Sequence, residues 1–176
     1  MARLKPLPAV WLISDARNNA VLETALKRLP RGSGFIFRHY HLDEAKRQFR
    51  FRELARLARA RGQLVVLAGT RREARLWGAD LAYGPDGHLQ PVHNLREIGQ
   101  AHRADALLLS PVYATRSHLL GKALGPLRFR LLAARAQAPV IALGGMNWRT
   151  AKRLDWPHWA GIDAFLSSPS IRPRSS

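Results

Sequence analysis

The chain has no cysteine, which excludes disulfides, thiolate zinc sites and a cysteine nucleophile together. It is short of acidic residues: 12 Asp plus Glu face 29 Lys plus Arg, a formal net charge of +17 over 176 residues. Lysine is scarce too, because 24 of the 29 basic residues are arginine. No apolar run approaches the ~18 residues of a membrane span. The opening Met1-Ala2-Arg3-Leu4-Lys5-Pro6-Leu7-Pro8 leads into an apolar stretch too short for a signal peptide before Ser14-Asp15 interrupts it. These absences describe a soluble, cytoplasmic protein without a membrane partner.

What is present is ordinary for a folded domain: 47% hydrophobic and 23% charged residues. The length suits one domain, expected over residues 1–168, with the Ser/Pro/Arg-rich 169–176 as a flexible tail. The positive charge has two readings, an electrostatic footprint for nucleic acid or an arginine-rich solvated surface. Within the basic stretch from Lys46 to Arg75, Phe51, Leu54, Ala55 and Ala58 recur at the spacing of one helix face. Arg50, Arg52, Arg56 and Arg59 then fall on the flanks and back of that helix, as a solvated face requires. No helix-turn-helix, zinc-finger or aromatic-basic RNA motif is present, which disfavours a specific nucleic-acid partner. A basic nucleic-acid-associated protein is kept as the third reading.

Short β-rich runs alternate with helical stretches. Strands are expected at Ala9–Ser14, Gly34–Arg38, Gln63–Ala68, Asp80–Gly84, Leu89–His93, Ala106–Pro111, Val140–Gly144 and Ile162–Ser167. Continuous apolar runs such as Leu64-Val65-Val66-Leu67 suit parallel strands covered by helices. Helices are expected at Ala20–Arg28, Asp43–Arg61, Arg71–Trp77, Asn94–His102, Leu127–Gln137 and Trp148–Leu154. Eight strands in alternation with helices predict an α/β fold, a (β/α)8 TIM barrel. Pro85-Asp86-Gly87-His88 leaves no room for a helix between the fourth and fifth strands, so a trimmed barrel lacking the fourth and eighth helices follows.

Barrels of this kind bind ligands at the C-terminal ends of their strands. Those ends carry Asp15, Arg38, Asp86, His93, the loop Ser110 to His118, Gly144-Gly145 and Ser167-Ser168. Glycine turns and hydroxyls after the seventh and eighth strands suit a phosphate, with φ > 0 in a tight turn as the plainer reading of the glycines. Thr115, Arg116, Ser117 and His118 make a donor-rich loop that could cover an anion, or an ordinary surface loop. His39-Tyr40-His41 would put two imidazoles on one face of a strand, an incomplete ligand set for a metal. Asp15 could project into the mouth or cap the next helix.

These residues resemble the thiamine phosphate synthase / TenI family over nearly the whole chain. Trp11-Leu12-Ile13-Ser14-Asp15 is similar to its first strand, and Val92-His93-Asn94-Leu95-Arg96-Glu97 to its His-Ser-Leu-Glu-Glu segment. Ala104-Asp105-Ala106 through Ser110-Pro111-Val112-Tyr113-Ala114-Thr115 is similar to its Ala-Asp-Tyr…Gly-Pro-Val-Phe-x-Thr. Pro139-Val140-Ile141-Ala142-Leu143-Gly144-Gly145-Met146 is similar to its Pro-Val-x-Ala-Ile-Gly-Gly-Ile. The resemblance implies a transferase that joins an aminopyrimidine methyl pyrophosphate to a thiazole phosphate in thiamine biosynthesis, with Mg²⁺ and cationic groups on the departing pyrophosphate. It implies Arg38 on the pyrophosphate, Thr115 and Ser117 as loop hydroxyls, Gly145 and Ser167 on the thiazole phosphate, and Asp86 as a remaining metal ligand; a homodimer is compatible with it. The chain departs where Leu67-Ala68-Gly69-Thr70 replaces a segment carrying the magnesium aspartate, where His118 takes the place of the loop lysine, and where Pro111 takes that of the TenI catalytic histidine. A second reading is therefore a barrel that binds phosphorylated ligands without turnover.

Overall fold

The apolar runs form eight short parallel strands that close on themselves in sequence order. The computed structural model describes residues 6–115 and 123–165. The strands are β1 (Val10–Ile13), β2 (Gly34–Phe37), β3 (Leu64–Ala68), β4 (Leu81–Tyr83), β5 (Leu89–Val92), β6 (Ala106–Leu109), β7 (Val140–Ala142) and β8 (Trp159–Gly161). The helices are α1 (Leu22–Arg28), α2 (Glu44–Arg59), α3 (Arg71–Trp77), α4 (Leu95–Gln100), α5 (Gly125–Ala133) and α6 (Trp148–Leu154). Only the turn Gly84–His88 joins β4 to β5, and among the described residues a single 3₁₀ turn, Asp163–Phe165, follows β8. The chain is thus a trimmed (β/α)8 barrel. No helix among the described residues is long and apolar enough to cross a membrane.

Alternation along each strand sorts side chains into two cores. Trp11, Ile13, Ile36, Val66, Leu89, Ala106, Leu108, Ile141 and Ala160 fill the barrel interior. Leu12, Phe35, Phe37, Val65 and Leu67 point outward onto the helices, where α2 supplies Phe51, Leu54, Ala55 and Ala58, all buried as their spacing predicts. Trp11 is the largest interior side chain, and its Cα partner across the sheet is Gly34. Its indole N–H donates to the Pro8 carbonyl at 2.8 Å, which anchors the ring beneath the interior layer.

Two expectations need correction. The eighth strand is Trp159–Gly161, not Ile162–Ser167. Its Trp159 N–H donates to Ala9 and its neighbour His158 accepts from Ala142, so these residues close the ring. A Cβ on Gly161 would lie 2.7 Å from the Ala164 Cβ, so only a small residue lets the chain fold back there. The longer apolar run that follows supplies Ile162 and the 3₁₀ turn instead. His39-Tyr40-His41 is not strand either. β2 ends at Phe37, His39 takes a left-handed φ of 43°, and its side chain is buried while His41 is exposed.

Candidate functional site at the barrel mouth

Inward alternation through Gly34 and Ile36 brings Arg38 to the C-terminal end of β2. Its main chain is held on both sides: its N–H donates to Ser14 Oγ at 2.8 Å, and its carbonyl accepts from Arg47 Nε at 2.8 Å. Arg47 also donates to the Ala68 carbonyl at 2.6 Å and so ties β2 to β3. The Arg47 guanidinium is packed among Phe37, Tyr40 and Trp77 at 5.8, 5.3 and 5.1 Å from the ring centroids.

Behind β1 and β2 runs a buried polar relay. His39 lies 2.8 Å from Ser14 Oγ through Nδ1 and 2.8 Å from Asn19 Oδ1 through Nε2. Asn19 Oδ1 can only accept, and it also accepts from Arg50 Nε at 3.0 Å. Nε2 therefore carries the imidazole proton, and Ser14 donates to Nδ1 while accepting from Arg38. Burial, then the charges of His41 and Arg50, push the His39 pKa down to about 4, so the relay is neutral at physiological pH.

Asp15 faces Arg38 across the mouth at 4.0 Å and is bonded to Arg17 Nε at 3.0 Å. It also caps the 3₁₀ turn Ala16–Val21. Burial raises its pKa, but the hydrogen bonds from Arg17 and the charges of Arg17 and Arg38 outweigh that and hold the carboxyl below its ordinary range. Tyr83, from the end of β4, joins this group; burial pushes its phenol up to about 12 against the opposing pull of Arg38. Leu143 and Ile162 pack with Tyr83 on the top of the interior core and give the mouth an apolar floor.

On the opposite side, Gly144 and Gly145 take φ of 93° and 63°. A Cβ on Gly144 would lie 2.6 Å from the Pro111 Cα, and one on Gly145 2.7 Å from the Ala114 carbonyl oxygen. The glycines therefore let the loop after β6 lie against the loop after β7, with Val112 and Tyr113 donating to Leu143 and Gly144. This brings Thr115 to the Gly144-Gly145 side. The N–H groups of Gly144, Gly145 and Met146 make no hydrogen bond to a described residue. Arg116, Ser117, His118, Ser167 and Ser168 lie outside the described residues; Ile162 and Asp163 take the strand-end position at which Ser167 is expected.

His93 is at the end of β5, where its ring and N–H both meet Glu97 Oε2, at 2.9 and 2.8 Å. All twelve carboxylates of the chain are within the described residues. At the mouth, Asp15 and Asp163 are taken by Arg17, Glu73 by the Thr70 N–H and hydroxyl, and Glu97 by His93 and Asn94. Asp86 is exposed in the turn after β4, and the chain around it is held through its own carbonyl by Arg71 Nε at 2.9 Å. Among the described residues no three His, Cys, Asp or Glu come together as a metal site. Octahedral Mg²⁺ needs carboxylate oxygens free to coordinate; Asp86, whose carboxylate no described residue engages, is a lone ligand, and this donor set does not fit the ion.

Asn18 is a site residue that the sequence reading missed. It is buried and donates to the Ile13 and Ile162 carbonyls at 2.9 and 3.0 Å while accepting from the Asp15 N–H at 2.8 Å, so it clasps β1 to β8 beside the mouth. Replacing it with alanine leaves three backbone groups unpaired; the expected cost is about 2 kcal/mol, read as a fall in the urea midpoint. An unchanged midpoint contradicts that role.

No protein-family model matches the chain, and no curated protein matches it in sequence. Among solved structures the barrel is similar to the thiamine phosphate pyrophosphorylase of Pyrococcus furiosus, with a TM-score of 0.73 at 19% identity over 92% of this chain and 89% of that one. It is also similar to the citrate synthase SbnG, with a TM-score of 0.60 at 8% identity over 89% and 86%. The chain therefore has the barrel fold of the thiamine phosphate pyrophosphorylase, and at these identities the likeness extends to the fold alone.

Proposed function

We propose that the barrel mouth binds a small phosphorylated molecule with an aromatic ring, a thiazole phosphate first among them. The observation that carries this reading is Arg38, whose main chain is held by Ser14 and Arg47 and whose guanidinium lies 4.0 Å from Asp15 and 5.6 Å from the Tyr40 ring centroid, beside a mouth floored by Tyr83, Leu143 and Ile162. Arg38 anchors the anion through charge-assisted hydrogen bonds, and Asp15 orients its guanidinium. The N–H groups of the Gly144-Gly145 loop and the Thr115 hydroxyl are the further donors. His93 borders the same opening, and Arg116, Ser117, His118, Ser167 and Ser168 belong to segments that would extend it.

Binding without turnover is the form we favour, because Asp15, Glu73, Glu97 and Asp163 are committed to arginine, histidine and helix caps, which leaves Asp86 alone to hold a metal. The fold likeness to a thiamine phosphate pyrophosphorylase favours a second form. In that form the chain is a transferase joining thiazole phosphate to an aminopyrimidine methyl pyrophosphate. Calorimetry with thiazole phosphate tests both. Wild-type protein is expected to bind, and Arg38→Ala to weaken binding by about 10- to 100-fold, the worth of a charge-assisted pair. Adding the pyrimidine pyrophosphate and Mg²⁺ is expected to give no thiamine phosphate; formation of product would establish the transferase. If thiazole phosphate does not bind at all, both forms are wrong.

A further inference from the structure

The positive charge is not spread evenly over the barrel. Helices run antiparallel to the strands, so helix C-termini and the loops that follow them lie at the base, opposite the mouth. Lys27 and Arg28 end α1, Arg56 and Arg59 end α2, and Arg75 ends α3. Arg31 and Arg61 are in the loops after α1 and α2. All are exposed except Arg61, which is half-buried. Arg61 Nε is itself buried with no hydrogen-bond partner among the described residues. Three carboxylates lie at the base: Asp80, 3.7 Å from Arg59, within this arc, and Asp105 before β6 and Asp155 after α6, outside it. The mouth end of the molecule is different: Asp15, Glu23, Asp43, Glu44, Glu73, Asp86, Glu97 and Asp163 all lie there, at strand ends and in first helical turns.

Last-turn cations complement the dipoles of their own helices, which accounts for some of this pattern. It does not account for the loop arginines, nor for the near-absence of acidic residues beside them. Three neighbouring helix ends about 10 Å apart span roughly 20 Å, the length of about six phosphates along one strand of a duplex.

We infer that the α1–α3 base of the barrel is a docking surface for the phosphate backbone of a nucleic-acid duplex, read by charge and not by sequence. The lack of a base-reading motif is consistent with contacts to phosphate alone, since these carry no sequence information. The surface is at the opposite end from the mouth and stands whether or not the mouth binds a phosphorylated molecule.

The test is fluorescence anisotropy with a labelled 20-base-pair DNA duplex of mixed sequence between 50 and 200 mM KCl. About five phosphate contacts give a salt slope near −4.5 and an affinity loss of about 500-fold across that range. A base triple variant (Arg31→Ala, Arg56→Ala, Arg75→Ala) should bind at least tenfold more weakly, with a slope shallower by about 2.7. A mouth-side triple variant (Arg96→Ala, Arg128→Ala, Arg149→Ala) has the same net charge and should stay within about twofold of wild type. Equal effects of the two triples, a flat salt dependence, or no duplex binding at 50 mM overturns the inference. Binding to phosphatidylserine vesicles without duplex binding also overturns it. Should the base triple fail to fold, the single change Arg31→Glu, in a loop, carries the same comparison.

Discussion

Replacing Gly34 with alanine is expected to destabilise the barrel by about 3 kcal/mol, at the upper end of overpacking costs. A Cβ at this position would fall inside the Trp11 indole, and both residues are buried in the interior of a closed ring. The indole cannot swing away freely, because its N–H is bonded to the Pro8 carbonyl. Trp11→Ala should cost about 4 kcal/mol by leaving a cavity. The informative measurement is the double variant: once the ring is gone, Gly34→Ala should be nearly neutral, so the two effects are strongly non-additive in urea melts. Additive effects would show that the indole is not what excludes a side chain at Gly34.

The second large effect depends on pH. His39 titrates near 4 in the fold against about 6.5 when unfolded, so between those values the unfolded chain holds one more proton. Stability then rises with pH across that window. The contribution is complete above about pH 6.5 and is lost as pH falls toward 4, a drop of about 3 kcal/mol. His88, also lowered by burial and by Arg71, adds in the same direction. The lowered carboxylates Asp15, Glu23, Asp43, Glu73 and Glu97 lose their contributions only at more acidic pH, below their ordinary range. His39→Asn tolerates the left-handed backbone and removes the titration. Its stability should be lower at pH 7 yet much flatter between pH 6.5 and 4; curves parallel to wild type would exclude His39 as the cause. Protonating His39 also removes the acceptor for the Ser14 hydroxyl, so phosphate binding through Arg38 should weaken over the same interval.

Seven of the eight strands were legible within one or two residues because most are continuous apolar runs bounded by turn signals. The missing fourth helix was legible from the length of one loop. β8 was not, since Trp159-Ala160-Gly161 is only three residues long, and its assignment depends on partners supplied by Ala9 and Ala142. Arg38 could be found because strand alternation places it at the mouth. Arg47 and Asn18 could not, because both act through main-chain carbonyls of other elements, contacts that leave no periodic trace. The His-x-His pattern misled for a related reason: a strand reading assumes extended backbone, and His39 adopts φ > 0. The charge was legible in amount but not in placement, because helix polarity in the closed barrel decides which end each arginine reaches.

The seam between β1 and β8 joins the first strand of the barrel to its last. A ring closed in this way has high contact order, and its final pairing waits on the slowest loop closure in the molecule. During synthesis β1 emerges roughly 150 residues before its second neighbour, and until Trp159–Gly161 arrives both β1 and β7 present open edges to other chains. The brevity of β8, three residues with a glycine, is also a safeguard, because a three-residue strand is a poor template for joining a neighbouring molecule.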